Sequence, residues 1–133
     1  MRNAYIFTIT DENGDSFDVA LRLTVSGQME LKKKYKKSTM ETIFEAPQDV
    51  EVMCDVLTQS LKYNGNTNKI TSGSKLYDLM VENGFGGVRK WQTLMNEIAY
   101  ASGILDKEEK KQFDEKVQNM YESTLNGDTE KNA

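Results

Sequence analysis

The sequence of 133 residues contains no histidine and a single cysteine, Cys54. Histidine is the commonest general base and transition-metal ligand, so its absence excludes Ser-His-Asp and Cys-His catalytic arrangements within this chain. A lone thiol excludes an internal disulfide and a thiolate zinc site, and its apolar neighbours predict a buried small hydrophobe. Catalysis by carboxylates alone stays open, but no acidic pair lies in an apolar setting that would tune it. We therefore expect a non-enzyme without metal or cofactor.

Long apolar runs are also missing. No stretch approaches the roughly 20 residues of a membrane-spanning helix, and the N-terminus lacks the apolar segment of a signal peptide. The net charge of -4 and the pI of about 4.9 argue against nucleic acid as the main partner, because phosphate binding needs a positive surface. The lysines within residues 32–37 run against this trend and are typical of a solvated helix end. We expect a cytoplasmic protein without membrane contact.

Two short segments near the N-terminus alternate apolar and polar residues, as strands do. Asn13 and Gly14 lie between them and form the strongest short hairpin signal. These observations predict an antiparallel hairpin over residues 4–25, which must pack on helices or pair with another chain because an isolated hairpin is only marginally stable. The alternating residues are Tyr5, Phe7 and Ile9, then Phe17, Val19, Leu21, Leu23 and Val25.

The apolar spacing then changes to the i, i+3, i+4 pattern of helices, over residues 26–105. Ser26 is the predicted N-cap of the first helix, Ser38 and Glu41 form a capping box for the second, and Pro47 suits the boundary before the third. Gly84 and Gly103 are expected just past the ends of the fourth and fifth helices. The predicted buried residues include Met29, Val50, Met53, Cys54, Leu57, Leu61, Leu76, Met80, Trp91, Leu94, Met95 and Ile98.

The last predicted helix, over residues 106–126, differs from the others in being highly charged. Asp106 and Glu109 suit a capping box at its start. Its apolar stripe is narrow, as in a docking or coiled-coil helix, so we expect either a protein-binding seam or docking on the core of the same chain. The residues of this candidate protein-binding stripe are Phe113, Val117, Met120 and Tyr121. Residues 1–126 are predicted to form one domain, followed by a disordered tail at 127–133.

Glycines at residues 84–87 precede a helix, but no Walker or dinucleotide-binding context surrounds them, so a helix-to-helix turn is predicted. A helix-turn-helix DNA reader is a further alternative. Arg89, Lys90, Gln92 and Asn96 follow this turn with the side chains that a recognition helix uses, although Glu97 and the acidic net charge weaken the case. The alternative function is therefore a DNA-binding regulator or a virion connector protein.

Four segments also match loosely defined sequence motifs of one protein family, and they occur in the same order as in that family. They are LRLTVSGQMEL at 21–31, an acidic helix start leading to Leu57 and Leu61 within 49–61, LYDLMVENG at 76–84, and AYASGIL at 99–105. Over about residues 5–105 the chain resembles the tail assembly chaperones of long-tailed, siphovirus-type phages or prophages of Gram-positive bacteria.

The resemblance implies a role without chemistry. Such chaperones bind the tape-measure protein and recruit tail-tube subunits in the cytoplasm of the bacterial host. Beside the stripe on the last helix, the free edge of the hairpin is a candidate contact surface, and self-association is expected because an unpaired strand edge invites pairing. The expected fold is α+β, with an N-terminal antiparallel β-hairpin packed on a bundle of about five or six α-helices.

Overall fold

Residues 4–132 fold into a β-hairpin followed by six α-helices, which confirms the predicted α+β arrangement. The computed structural model describes residues 4–132, with side chains described over residues 4–122. The strands are β1 (Tyr5–Thr10) and β2 (Ser16–Leu21). The helices are α1 (Val25–Tyr35), α2 (Thr39–Glu45), α3 (Val50–Leu61), α4 (Gly73–Glu82), α5 (Val88–Ala101) and α6 (Lys107–Asn132), with a 3-10 turn at Ala46–Gln48 between α2 and α3.

The hairpin is closed by a turn over residues 11–15, as its sequence predicts. The Asp11 carboxylate accepts hydrogen bonds from the main-chain N–H groups of Asn13 and Asp15, at 2.9 and 3.0 Å. Gly14 adopts the left-handed conformation with φ of 84°, which a side chain would disfavour. The strands pair antiparallel in the register that sets Phe7 opposite Val19. This local chemistry fixes the register independently of the rest of the fold.

The second strand ends earlier than predicted, and the first helix begins earlier. β2 stops at Leu21, and Thr24 rather than Ser26 is the N-cap of α1, with its hydroxyl accepting from the Gly27 N–H at 3.3 Å. Val25 is consequently the first residue of the helix and is exposed, not part of the strand face. Both Thr24 and Ser26 carry a hydroxyl that can cap a helix. The position of α1 against α3 therefore decides which of them is the N-cap.

The buried face of α1 also differs from the prediction, because Met29 is 65% exposed. Gly27 and Leu31 are the buried residues of this helix, and Gly27 lies against Gln59 of α3. Met29 is two residues, or about 200° of rotation, from each of them, so its side chain points to the opposite side of the helix. The prediction that Met29 is buried was therefore wrong.

Helix α3 buries the predicted residues Met53, Leu57 and Leu61, but its apolar face is wider and differs at two positions. Val50 is exposed because it is the first residue of the helix, and Cβ atoms tilt toward the N-terminus, which directs its side chain past the helix end. Cys54 is half-buried rather than buried.

The predicted helix boundaries that depend on local capping are confirmed at four places. Ser38 accepts from the Glu41 N–H at the start of α2. At the start of α6 the box is reciprocal, since Glu109 N–H donates to Asp106 Oδ1 at 2.8 Å and Asp106 N–H donates to Glu109 Oε1 at 2.9 Å. Past α4 and α5, Gly84 and Gly103 are left-handed, with φ of 85° and 78°. Helix α4 itself is capped by Ser72 and begins at Gly73.

The core lies between one face of the hairpin and helices α3, α4 and α5, with α1 and α2 closing a further side. Trp91 of α5 is buried as predicted, stacked on Tyr77 at 4.4 Å between ring centroids and meeting Phe85 edge-on at 4.6 Å. Over the residues that the structure describes, none of the helices is long and apolar enough to cross a membrane. The largest fully buried side chains include Leu21, Leu23, Leu31, Ile43, Met53, Leu57, Leu76, Met95, Ile98 and Leu105.

Helix α6 extends to Asn132, whereas the sequence predicted its end near residue 126. The predicted disordered tail at 127–133 falls where side chains lie outside the described residues, so the tail and the single-domain boundary at 126 stay predictions.

Candidate protein-binding surfaces

The first turns of α6 are fixed on α5 by a polar network. Lys110 Nζ lies 2.9 Å from Glu97 Oε1 of α5 and 2.7 Å from Asp114 Oδ2, one turn further along α6. Asp114 in turn accepts a hydrogen bond from Asn96 Nδ2 at 3.0 Å, and Asn96 is buried. The network therefore satisfies a buried amide while it joins the two helices.

Two opposing effects act on the pKa of Lys110. Burial lowers it, but hydrogen bonds and the negative charges of Asp114 and Glu97 together outweigh burial, so the pKa lies above its ordinary value. The ammonium form is thus favoured by the folded state, and the contact between α5 and α6 strengthens folding while Lys110 stays charged.

The predicted stripe on α6 begins with residues that pack within the chain. The ring of Phe113 lies 4.9 Å from that of Phe44, between centroids, and contacts the edge of the core. Val117, one turn later, is half-buried. For Phe113 the structure shows docking on the same chain, which was one of the two alternatives.

The second half of the stripe is open. Met120 is 61% exposed and Tyr121 is 43% exposed. The Arg89 guanidinium lies 4.6 Å from the centre of the Tyr121 ring, a cation–π contact that leaves much of the ring accessible. The four residues predicted as one surface therefore differ in exposure: Phe113 is docked, Val117 is half-buried, and Met120 and Tyr121 are open to a partner.

The outer edge of β2 is occupied by amide side chains. The Ala20 N–H donates to Asn66 Oδ1 at 3.1 Å, and Asn68 Nδ2 donates to the Asp18 carbonyl at 3.1 Å. These asparagines belong to the loop between α3 and α4 and replace a neighbouring strand. No further strand can pair along β2 without displacing them.

The edge of β1 is occupied at one end only. Asn83 binds Thr10 at both main-chain groups, accepting from its N–H at 3.0 Å and donating to its carbonyl at 2.9 Å. The main-chain N–H and C=O groups of Thr10 therefore point away from β2. Those of Thr8 and Ile6, two and four residues earlier, point the same way. The outward N–H and C=O groups of Ile6 and Thr8 have no hydrogen-bond partner among the described residues. The free edge predicted from the sequence is thus confined to this part of β1.

The chain matches no protein-family model, no curated protein and no solved structure. The phage-family resemblance therefore stays an interpretation of the sequence patterns.

The residues considered for DNA reading do not form an open helix face. Asn96 is buried against Asp114, and Arg89 lies on Tyr121. Lys90 Nζ donates to the Gly84 carbonyl at 3.3 Å, and Gln92 is half-buried. Asn96 could therefore reach a DNA groove only if α6 moved, whereas Arg89 and Lys90 remain exposed.

The lysines within residues 32–37 are partly neutralised by the fold. Lys34 Nζ lies 2.6 Å from Asp55 Oδ2 and 3.5 Å from Glu51 Oε1, and the hydrogen bond with Asp55 is the main cause of the raised pKa of Lys34. Lys37 forms an ion pair with Glu45. This agrees with the prediction of a helix end, since Lys36 follows α1 in the left-handed conformation.

Two exposed apolar residues on α1 were missed by the sequence reasoning, which placed Val25 in a strand and Met29 in the core. They lie one turn apart on the same side of the helix.

Over the residues that the structure describes, no group of three or more His, Cys, Asp or Glu side chains is placed to hold a metal ion.

Proposed function

We propose that this protein is a non-enzymatic assembly chaperone of a long-tailed phage or prophage, which binds the tape-measure protein and recruits tail-tube subunits in the bacterial cytoplasm. Two things support the proposal. The order of sequence patterns over residues 5–105 resembles that family, and the structure leaves apolar side chains exposed on an otherwise charged helix.

One observation carries the binding role. Helix α6 is anchored on α5 by Lys110 and on Phe44 by Phe113, while Met120 and Tyr121 further along remain exposed. Exposed aromatic and methionine side chains are adaptable contacts at protein interfaces. A helix that is held at its start and exposes apolar side chains further along is suited to reversible contact with a helical, apolar-rich partner.

The test is co-purification of the protein with fragments of the tape-measure protein encoded beside it. Met120→Glu places a charge in the proposed contact and should reduce retention of the fragment by about tenfold or more. Asn119→Glu is the matched control, because it adds the same charge at an exposed position about 100° round the helix from Met120 and about 200° from Tyr121, and it should bind as the original protein does.

Two results would contradict the proposal. One is that no tape-measure fragment binds, although the protein is folded. The other is that Met120→Glu and Asn119→Glu retain the fragment equally, which would exclude Met120 from the interface. Recruitment of tail-tube subunits is measured separately, by adding them to the complex of protein and fragment.

The alternative, a DNA-binding regulator or virion connector protein, has less support because Arg89 and Asn96 have partners within the fold. It predicts an affinity for duplex DNA that falls steeply with salt and is lost in Arg89→Ala and Lys90→Ala. Such a result would replace the chaperone proposal.

A further inference from the structure

The open edge of β1 lies beside an apolar cavity. The cavity has a volume of about 220 Å³ and is bounded by the hairpin on one side and by the end of α4 with Phe85 on the other. No charged side chain lines it, in a protein in which 29% of residues are charged. The lining residues are Tyr5, Phe7, Thr8, Ile9, Met80, Asn83 and Phe85.

The position of this cavity follows from the geometry of the hairpin. Tyr5, Phe7 and Ile9 point to the helical side of the sheet, and the helical layer continues past the edge of β1 to Met80 and Phe85. A third strand beside β1 would lie about 4.8 Å from it and would direct alternate side chains into this space. The cavity therefore lies where the sheet lacks its next strand.

The main-chain groups at the same edge are ready for such a strand. The N–H and C=O groups of Ile6 and Thr8 point outward, whereas those of Thr10 are held by Asn83. The Ile6 side chain is 62% exposed on the other face of the sheet, and neither proline nor lysine protects the edge. An added strand would gain hydrogen bonds from the edge and side-chain contacts on both faces.

From this juxtaposition we infer that β1 is a strand-addition site, which binds an extended, uncharged and largely apolar segment of another protein. Main-chain hydrogen bonds to Ile6 and Thr8 supply affinity, and the cavity selects an apolar side chain at one alternate position of the segment. The inference shares with the proposed function the premise that this chain binds another protein, and it rests on the proposed function for that premise alone.

A second copy of the chain fits this edge less well than a separate peptide does. The outer edge of β2 is bound by Asn66 and Asn68, so a second copy offers only β1 among the described strands. If two β1 edges paired antiparallel about Phe7, Ile6 of each copy would bind Thr8 of the other. The pairing could not extend to Thr10, because the main-chain groups of each Thr10 are already bound by Asn83 of the same copy. A peptide without such a blocked end can continue along β1 beyond Ile6.

The test uses a displayed library of short random peptides, selected on the protein and counter-selected on Ile6→Pro. Proline removes the outward N–H, and at this position the hairpin does not use that group. Enriched peptides should carry uncharged apolar residues at alternate positions, and they should bind Ile6→Pro about tenfold or more weakly than Ile6→Ala, which keeps the N–H.

A second measurement is independent of any variant. In the unbound protein the amides of Ile6 and Thr8 should exchange with solvent faster than those of Phe7 and Ile9, which point toward β2. A bound peptide should slow exchange at Ile6 and Thr8 and leave Phe7 and Ile9 nearly unchanged. This alternation is specific to strand addition and is not expected for binding elsewhere.

Three results would overturn the inference. The first is that no peptide is enriched. The second is that peptides bind Ile6→Pro and Ile6→Ala with equal affinity and do not slow amide exchange at Ile6 and Thr8. The third is that sedimentation shows a dimer, which the Ile6→Pro substitution dissociates. The last would show that a second copy occupies the edge. Peptides that bind here while every tape-measure fragment fails to bind would refute the proposed function and leave the strand-addition site intact.

Discussion

Asn83 acts as a one-residue strand for Thr10. Its side-chain amide lies beside β1 with its oxygen 3.0 Å from the Thr10 nitrogen and its nitrogen 2.9 Å from the Thr10 carbonyl oxygen, and the same nitrogen lies 2.7 Å from the Leu79 carbonyl oxygen. The end of α4 is thereby joined to the end of the first strand, 73 residues away in the sequence. The same contact determines where the open edge of the hairpin stops.

Replacing Asn83 by alanine should destabilise the protein. Two hydrogen bonds to Thr10 are lost, and the free energy of unfolding should fall by about 1–2 kcal/mol. Urea unfolding measures this change, and amide exchange at Thr10 should become faster. Asn64→Ala, at an exposed loop position, is the control and should alter stability little. Equal unfolding midpoints for the two variants would show that the Thr10 contact contributes nothing.

Alanine substitutions at two helical glycines should have opposite effects. A Cβ at Gly73 would collide with the Cys54 carbonyl oxygen and would lie 2.7 Å from the Thr58 nitrogen, so Gly73→Ala should cost about 1–3 kcal/mol. A Cβ at Gly27 would meet its nearest atom, Cβ of Gln59, at 3.4 Å, an ordinary contact. Gly27→Ala should therefore be neutral or should stabilise by up to about 1 kcal/mol, from helix propensity.

Thermal unfolding of the two variants beside the original protein measures this contrast. A Gly73→Ala variant that melts as the original protein does would mean that α3 and α4 separate at little cost, against the close approach described above.

The capping box of α6 gives a third prediction. Asp106→Ala removes the acceptor for the Glu109 N–H and should cost about 0.5–2 kcal/mol, whereas Asp106→Asn keeps an oxygen at the same place and should cost less. Helical circular dichroism and urea unfolding measure the loss. An identical stability of the two variants would assign the effect to the charge of Asp106 at the helix N-terminus rather than to the hydrogen bond.

The ion pairs of Lys110 give a pH-dependent prediction. The folded-state pKa of Lys110 is raised above its ordinary value of 10.5, so its contribution is complete below that value and is lost as the pH rises through the folded-state pKa. Lys110→Gln should therefore destabilise the protein by about 1–2 kcal/mol near neutral pH.

The difference between Lys110→Gln and the original protein should shrink above pH 10.5. Urea unfolding over a pH series measures this convergence. The stability of Lys110→Gln must be compared with that of the original protein at each pH, because Tyr35 also has a pKa raised by burial and by its hydrogen bond to Asp55. Tyr35 changes the stability of both proteins equally, so its effect cancels in the difference. A difference that stays constant with pH would show that Lys110 acts through packing and not through its charge.

Elements with a local cause could be predicted from the sequence. The turn after β1 depends on Asp11 and Gly14, the start of α6 on Asp106 and Glu109, and the end of α4 on Gly84, and each is formed by atoms only a few residues apart. Where two nearby residues could both cap a helix, the sequence did not decide which of them does so. Thr24 and Ser26 offer the same capping chemistry, and the position of α1 against α3 decides between them.

The candidate surfaces were predicted only in part. The periodicity of α6 identified its apolar stripe, yet it gave no means to tell Phe113, which has Phe44 beside it, from Met120, which has mostly solvent. The hairpin edge was identified as well, but the asparagines that cover most of it come from a polar loop and a helix end far along the chain. Sequence spacing does not encode such contacts.

The sequence by itself therefore determined the absence of histidine-based chemistry, the hairpin and the order of the helices, because these follow from residue types and from hydrogen bonds within a few residues. Only the tertiary structure decided which side of α1 is buried, which half of the α6 stripe stays open, and that Ile6 and Thr8 keep their outward main-chain groups free. Burial depends on what lies opposite a side chain, and those neighbours come from distant parts of the chain.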